Sequence, residues 1–384
     1  MKVLHVIKVA GIGGAEIFLS KLLPDLNRVG VESTLLAMIN LDHPEEAKVF
    51  IDLMQAAQVK VIQVDVTHNF SFKMYRQISK IISEGNYDLV NTHLVHSDIY
   101  LYMVKKFFNK KLLLVNTFHG YNVPHQLKYR FEPVFDPKDK FFWIYKFIGK
   151  AFNRSIVNSY GLRNLLVGLK LIPENKIDVV HFGFDYSGIS YDSDISKYRK
   201  SKKQIVIVGR LDIVKGHTFA FQAMPQIIKH FPEIKLVIVG SGNQEENLKN
   251  EVNERGISDY VVFEGFQSRI HDYLKNSDVV LIPSYAEGFC LVVLESYYNK
   301  KPVICFDVPA LNEIVDNGKT GITIPKFDIE KLSLGIIQLL EDSALVERLT
   351  KTAYKKLNTY FTQERMMKQT IDVYEHTLKE AKVK

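Results

Sequence analysis

The chain has 384 residues, 46% hydrophobic and 24% charged, and its net charge is +7. That length exceeds what one hydrophobic core supports, so two domains of ordinary size are expected. The composition excludes a collagen-like or largely disordered chain, and two cysteines, Cys290 and Cys305, exclude a disulfide framework or a cysteine metal cluster.

Met1 leads straight into the apolar run Val3–Val9, without the basic start, long apolar stretch and cleavage site of a signal peptide. No apolar run is long enough to span a bilayer. The expectation is a cytoplasmic protein, either free or bound peripherally to the cytoplasmic membrane face. Charge is unevenly spread: residues 1–187 carry 23 Lys+Arg against 17 Asp+Glu, and residues 188–384 carry 27 against 26. The stretch 102–154 alone holds 11 basic and 3 acidic residues. This bias points to an anionic partner for the first half, such as a membrane surface or a phosphorylated acceptor. No nucleic-acid-binding motif accompanies it, so nucleic acid is not an expected partner.

In chain order, strands are expected at Val3–Val9, Glu32–Ile39, Val59–Val64, Leu89–Thr92, Leu112–Thr117 and Ser155–Asn158. A second series follows at Gln204–Val208, Lys235–Val239, Val261–Phe263, Val279–Ile282, Val303–Phe306 and Gly321–Ile324. Near-continuous apolar strands alternating with helical periods imply parallel sheets covered by helices on both faces. The fold class is therefore α/β, with two Rossmann-like β/α/β domains. The seam falls near 186–203, which is polar and reads as linker or poorly packed surface. That puts the domains at 1–187 and 188–361. The tail 362–384 is a helix candidate able to cover either domain, packing back on the first included.

The first turn, Val9-Ala10-Gly11-Ile12-Gly13-Gly14-Ala15-Glu16, follows a strand and opens a helix. Its glycines would let backbone amides approach an anion, although a tight turn without a ligand has the same sequence. Glu16 stands where a dinucleotide fingerprint needs its third glycine, which disfavours a nicotinamide enzyme. In the second half, strand Gln204–Val208 ends in Gly209-Arg210, and Lys215 follows five residues after Arg210. Ligands of open α/β sheets lie at the carboxyl ends of strands. Two cations there suit a diphosphate, Arg as a planar fork and Lys as a point charge, but two solvated loop charges remain the alternative.

The most informative segment runs from Pro283 to Glu295. A helix is expected to begin near Phe289, offering the unsatisfied amides around Cys290, Leu291 and Val292 to a phosphate. Glu287 precedes that helix. Glu295 is eight positions on, at most about 12 Å away even if every intervening residue were helical. That reach fits one carboxylate on a sugar and the other on a ribose. Glu295 stands among Val292, Val293 and Leu294, where an acid is better aimed at a cleft than at solvent.

These pieces make the chain resemble the retaining GT-B glycosyltransferases of the large family 4 type. The matching motifs are Gly13-Gly14-Ala15-Glu16, Thr117-Phe118-His119-Gly120, Gly183-Phe184-Asp185, Gly209-Arg210-Leu211 with Lys215-Gly216, and Val239-Gly240-Ser241-Gly242. Phe263-Glu264-Gly265, Pro283-Ser284, Glu287-Gly288-Phe289, Leu294-Glu295, Lys301-Pro302-Val303-Ile304 and Asp316-Asn317-Gly318 with Gly321 complete the set. They stand in family order over about residues 1–325, and the ordered set with its E-x7-E spacing is what makes the resemblance specific.

The resemblance implies two domains facing each other across a cleft, the first on the acceptor side and the second binding the nucleotide-sugar. It implies transfer of a hexosyl or N-acetylhexosaminyl group, with retention, from a UDP-sugar in preference to a GDP-sugar. The acceptor hydroxyl would belong to a glycan, a lipid-linked acceptor or a polysaccharide precursor. No cofactor and no metal are expected. Arg210 and Lys215 would clamp the diphosphate, Glu295 hold the ribose and Glu287 contact the transferred sugar. Gly288, Phe289, Cys290, Leu291 and Val292 would line the donor, with Phe289, Cys290 and Leu291 presenting backbone amides to the sugar and phosphates. His119 would reach the donor sugar from the first domain, and Gly13 and Gly14 would admit the phosphates. Cys290 departs from the Gly or Pro common at its position, and His181-Phe182 replaces an expected Asn. A nucleotide-sugar epimerase of the same architecture is the alternative.

Three further features are weighed separately. His93 and His96 form H-x-x-H but lack the context of a zinc site, and are read as structural or acceptor-lining. Asp192-Ser193-Asp194 is read as solvated linker rather than a metal motif. Residues 138–154 interleave aromatics with Lys140, Lys146 and Lys150, which fits either an interfacial amphipathic helix or a core-packed one.

Overall fold

The computed structural model describes residues 1–9, 13–40, 44–66, 72–120, 140–183, 185–186 and 188–383. They form two compact units. The first takes residues 1–120, 140–183 and the helix Gln363–Val383; the second runs over 185–362.

The first unit holds strands β1 (Lys2–Val9), β2 (Glu32–Asn40), β3 (Lys60–Val66), β4 (Leu89–His93), β5 (Leu114–Phe118), β6 (Arg154–Val157) and β7 (Ile177–Val179). Their order is β3-β2-β1-β4-β5-β6-β7, and every pairing is parallel. Val3, Leu4, Val6 and Ile7 of β1 are fully buried, as a strand covered on both faces requires. β7 is the one strand not expected from the sequence: three residues, Ile-Asp-Val, carry no periodic signal. The helix Gly14–Arg28 buries Phe18, Leu19, Leu22, Leu23 and Leu26, the stripe its period dictates.

The tail helix Gln363–Val383 belongs to this unit. Tyr374 is fully buried and donates to Asn91 Oδ1 at 2.6 Å. Arg154 reaches Glu380 at 3.2 Å while forking onto Asp178 at 2.6 and 2.8 Å. The aromatic segment forms the helix Lys140–Ile148 and has two faces. Phe142, Tyr145 and Ile148 are buried, with Tyr145 donating to Asp98 at 2.5 Å, whereas Trp143 and Phe147 are exposed. One face is thus core-packed and the other turned outward.

The second unit holds β8 (Gln204–Val208), β9 (Lys235–Val239), β10 (Val261–Gly265), β11 (Val279–Ile282), β12 (Val303–Phe306) and β13 (Ile322–Ile324), all parallel, in the order β10-β9-β8-β11-β12-β13. Gly240 lets two strand ends meet: a Cβ there would lie 1.9 Å from the Gly209 carbonyl oxygen.

The polar seam is not a poorly packed linker. Tyr198 sits in the core with Val206, Val237, Val239 and Tyr273, its ring edge-on to Tyr273 at 4.8 Å. Asp192 accepts from Tyr198 at 3.0 Å and Lys197 at 2.6 Å, and its amide donates to Asp272 at 2.9 Å. The seam's polar residues find partners on the helix Ile270–Lys275, 80 positions away, and no local periodicity reveals such contacts. Replacing Tyr198 by Ala is expected to cost about 3 kcal/mol in denaturant unfolding. A loss within about 0.5 kcal/mol would mark an exposed surface residue instead.

Candidate functional site

The charged residues of the second unit are set by two neighbouring strand ends. β8 leads through Gly209 and Arg210 into a short turn of 3-10 helix, Ile213–Lys215. Gly216 then closes it at φ +70° before the helix His217–His230. A Cβ at Gly216 would lie 2.1 Å from the Pro283 carbonyl oxygen, so only glycine lets this turn press against the end of β11. The Tyr285 amide donates to the Val214 carbonyl at 3.1 Å and ties the two loops together.

Between them Lys215 Nζ meets Glu287 Oε1 at 2.7 Å. Burial opposes the Lys215 charge, but the Glu287 carboxylate outweighs it and the ammonium is held above its usual range. Lys215, Glu287 and Cys290 line one crevice with Val208, Pro283 and Ser284. Burial, with Glu287 next in effect, pushes the Cys290 thiol up to about 12, so it is a neutral wall rather than a nucleophile. Arg210 is exposed and forms an ion pair with Asp212 at 2.9 Å.

The helix after Glu287 is Leu291–Tyr298, two residues later than expected, because Cys290 remains extended as its N-cap. Phe289 is buried, its ring 6.1 Å from that of Phe361. The Cys290 carbonyl accepts from Val293 at 3.2 Å. The Leu291 and Val292 amides donate to no backbone group among the described residues, and they carry the positive end of the helix. Glu295 lies on the same helix, partly buried, with no side-chain hydrogen bond or ion pair among the described residues. Burial pushes its carboxyl up to about 7.

In the first unit, Gly13 caps the helix Gly14–Arg28. The Glu16 carboxylate turns back and accepts from the Gly13 amide at 3.0 Å. That acid takes a place an anion would otherwise occupy, and the Gly14 and Ala15 amides have no backbone acceptor among the described residues. A Cβ on Gly14 would meet nothing within 4 Å, so no intramolecular packing demands glycine there. Residues 10–12 of this turn, and Phe184 of the Gly183 motif, lie outside the described residues. His119 follows β5 and is bonded ring to ring with His93, whose Nδ1 is 3.0 Å from His119 Nε2. His96 is exposed and takes no part. His93 and His96 were both read from the sequence as structural or acceptor-lining; the structure brings His93 to His119 and leaves His96 apart. The usable signal was strand parity, which places His93 and His119 on one face. Among the described residues no three His, Cys, Asp or Glu side chains could hold a metal ion.

Glu295 generates a pH test. Its folded-state pKa stands above the unfolded value of about 4.3, so its stabilising contribution is present at low pH and lost as pH rises through about 7. Thermal unfolding should show wild type losing on the order of 1–3 kcal/mol relative to Glu295→Gln between about pH 5 and pH 8. A wild type that gains over this interval would contradict the burial of an unpaired acid.

Two family models match the chain: Glycosyltransferase Family 4 over residues 12–187 and Glycosyl transferases group 1 over residues 191–356. An uncharacterized glycosyltransferase of Methanocaldococcus jannaschii is 30% identical over 232 residues, covering 57% of this chain and 59% of that protein. The N-acetyl-alpha-D-glucosaminyl L-malate synthase of Bacillus anthracis is 22% identical over 320 residues, covering 82% of this chain and 81% of that protein. The chain spans less than half the length of two further curated relatives, 42% and 25%. Among solved structures, Anabaena HepE in complex with UDP and glucose has a TM-score of 0.81 at 19% identity, over 98% of this chain and all of that one, which establishes a shared GT-B fold. Both halves match in chain order and each sheet is that of a GT-B unit, so the chain belongs to the family 4, group 1 glycosyltransferases.

Proposed function

We propose that this protein transfers a sugar from a nucleoside-diphosphate sugar to an acceptor hydroxyl, with retention at the anomeric carbon. The observation that carries the reading is the Lys215–Glu287 pair, set where β8 and β11 end and in one crevice with Cys290, which caps the helix whose Leu291 and Val292 amides have no backbone acceptor among the described residues. Lys215 has three N–H donors and spends one on Glu287, leaving two for phosphate oxygens. Arg210 is exposed and able to swing onto the same diphosphate. Glu287 keeps lone pairs for the hydroxyls of the transferred sugar, and Glu295 accepts from the ribose diol.

In the reaction the bond from the anomeric carbon to the phosphate oxygen breaks, giving an oxocarbenium-like sugar and a diphosphate. Arg210, Lys215 and the helix end stabilise the developing negative charge. The leaving phosphate takes the acceptor proton as the acceptor oxygen bonds to the same face, so no enzyme nucleophile is assigned. Gly13 and Gly14 admit the phosphates, and His119 holds the transferred sugar. Two cations and a helix end supply enough positive charge for catalysis without a divalent ion. UDP is the favoured nucleotide, since HepE is known with UDP and with UDP-glucose bound. A hexosyl or N-acetylhexosaminyl group fits that chemistry, with a glycan or lipid-linked acceptor.

A panel of UDP-, GDP- and ADP-sugars tested for thermal shift and then transfer checks the reading. Arg210→Ala should lower kcat/KM roughly a hundredfold, and Glu295→Ala should raise the donor KM roughly tenfold, with folding and EDTA tolerance unchanged. Full activity in both variants would remove the site assignment, and epimerised donor formed without acceptor would indicate the epimerase instead.

The outward face of the helix Lys140–Ile148 fits an anionic membrane as the place where a lipid-linked acceptor is met. Trp143 and Phe147 lie exposed 6.3 Å apart, with lysines on the same helix. Such a face combines apolar insertion with about 1 kcal/mol per lysine near an anionic surface. Sedimentation with phosphatidylglycerol vesicles should capture the wild type, and Trp143→Ser with Phe147→Ser should weaken capture at least about tenfold. Equal binding to phosphatidylcholine vesicles, or none to either, would contradict this partner.

A further inference from the structure

The first unit carries three imidazoles in a row. His5 lies in the middle of β1, His93 ends β4, and His119 follows β5. These three strands are neighbours in the sheet. Their register sets His5 opposite Asn91, Ile7 opposite His93, and His93 opposite Thr117. A period of two therefore keeps His5, His93 and His119 on one face while each step moves toward the carboxyl edge. The row climbs from the interior to the end of the sheet where ligands of such folds bind.

His5 Nδ1 is 3.3 Å from His93 Nε2, and His93 Nδ1 is 3.0 Å from His119 Nε2. The first two rings stack at 5.5 Å and 20°. Phe18 stands edge-on to His119 at 5.1 Å and Tyr374 edge-on to His5 at 6.2 Å, which fixes both outer rings. The end atoms of the row, His5 Nε2 and His119 Nδ1, are buried and have no hydrogen-bond partner among the described residues. Burial pushes His5 and His119 down to about 3 and His93 well below its usual value, so all three are neutral.

A neutral imidazole has one N–H and one lone pair. Two ring-to-ring bonds then allow only two proton arrangements. Either every N–H points outward, leaving a lone pair on His5 Nε2 and an N–H on His119 Nδ1, or every N–H points inward. Any mixture sets two N–H groups or two lone pairs face to face. Each arrangement leaves one N–H without a partner among the described residues, on His119 or on His5. His5 is 0% exposed in the middle of β1, where no partner can reach it, whereas His119 is half-buried at the carboxyl end of the sheet, where a ligand can accept from it, so the outward arrangement is the favoured one.

We propose that His93 and His5 are positioning residues that lock His119 in its Nδ1–H tautomer, making its outer nitrogen a fixed donor to an oxygen of the bound sugar-nucleotide. The proposal rests on the transferase reading for the ligand, but not for the tautomer. His93 is the central element, because both of its nitrogens are used and each bond polarises the next. The proton on one ring nitrogen is set by the bond the other makes.

The test is a long-range proton–nitrogen spectrum of the full chain with nitrogen-15 histidine at neutral pH, paired with transfer kinetics. His119 should appear neutral with its proton on Nδ1. In His93→Leu it should shift to the Nε2–H form or a tautomer mixture, with kcat falling about tenfold and the donor KM changing less than about threefold. His93→Gln, whose carbonyl accepts from His5 and whose amide donates to His119, should restore the tautomer and most of kcat. Nε2–H or doubly protonated His119 in the wild type, or an unchanged tautomer in His93→Leu, would overturn the proposal. If His93→Leu fails to fold, the wild-type spectrum alone decides it. A wild type that shows the expected tautomer but transfers no sugar would sink the transferase reading and leave the lock standing.

Discussion

Lys215 and Glu287 meet at 2.7 Å where β8 and β11 end, and the second unit's site is organised around that contact. A buried ion pair is a poor source of net stability, because desolvation offsets most of its attraction. Its geometry nevertheless demands that two loops approach closely. Gly216 supplies the left-handed turn, with no room for a Cβ beside Pro283, and the Tyr285 amide bonds to Val214. The same approach sets Cys290, the cap of the helix Leu291–Tyr298, in one crevice with the pair. A diphosphate arriving there would find a held ammonium rather than a mobile one, so little ordering remains for binding to accomplish.

The two units use different electrostatics. The second concentrates full charges in Arg210, Lys215 and Glu287, on the unit that also holds Glu295, whose carboxyl burial pushes up to about 7. The first sets neutral dipoles against apolar packing, through three histidines held between Phe18 and Tyr374. Neutral imidazoles suit hydroxyl recognition, where direction matters more than charge.

Much of this was legible in the sequence. Twelve strands stood out because a doubly covered parallel strand is an almost unbroken apolar run, as in Gln204–Val208. β7 escaped because three residues show no period. The charged loops were legible because each follows such a run, and Arg210, Lys215, Glu287 and Glu295 therefore fell at carboxyl ends. Tertiary partners were not legible. Asp192 and Tyr198 looked like linker because their contacts lie on Asp272 and Tyr273, far along the chain. Cys290 delayed its helix by two residues because a residue there can stay extended as a cap. The histidine row spans three strands, so its only trace is a shared parity that becomes meaningful once the strand order is known.

The most direct measurement is the structure of the protein with an unreactive UDP-sugar bound. Lys215 Nζ should share its donors between Glu287 and the diphosphate, the Leu291 and Val292 amides should point at a phosphate, and Glu295 should accept from the ribose. A diphosphate bound elsewhere, with the Lys215–Glu287 pair undisturbed and Glu295 free, would contradict the assignment.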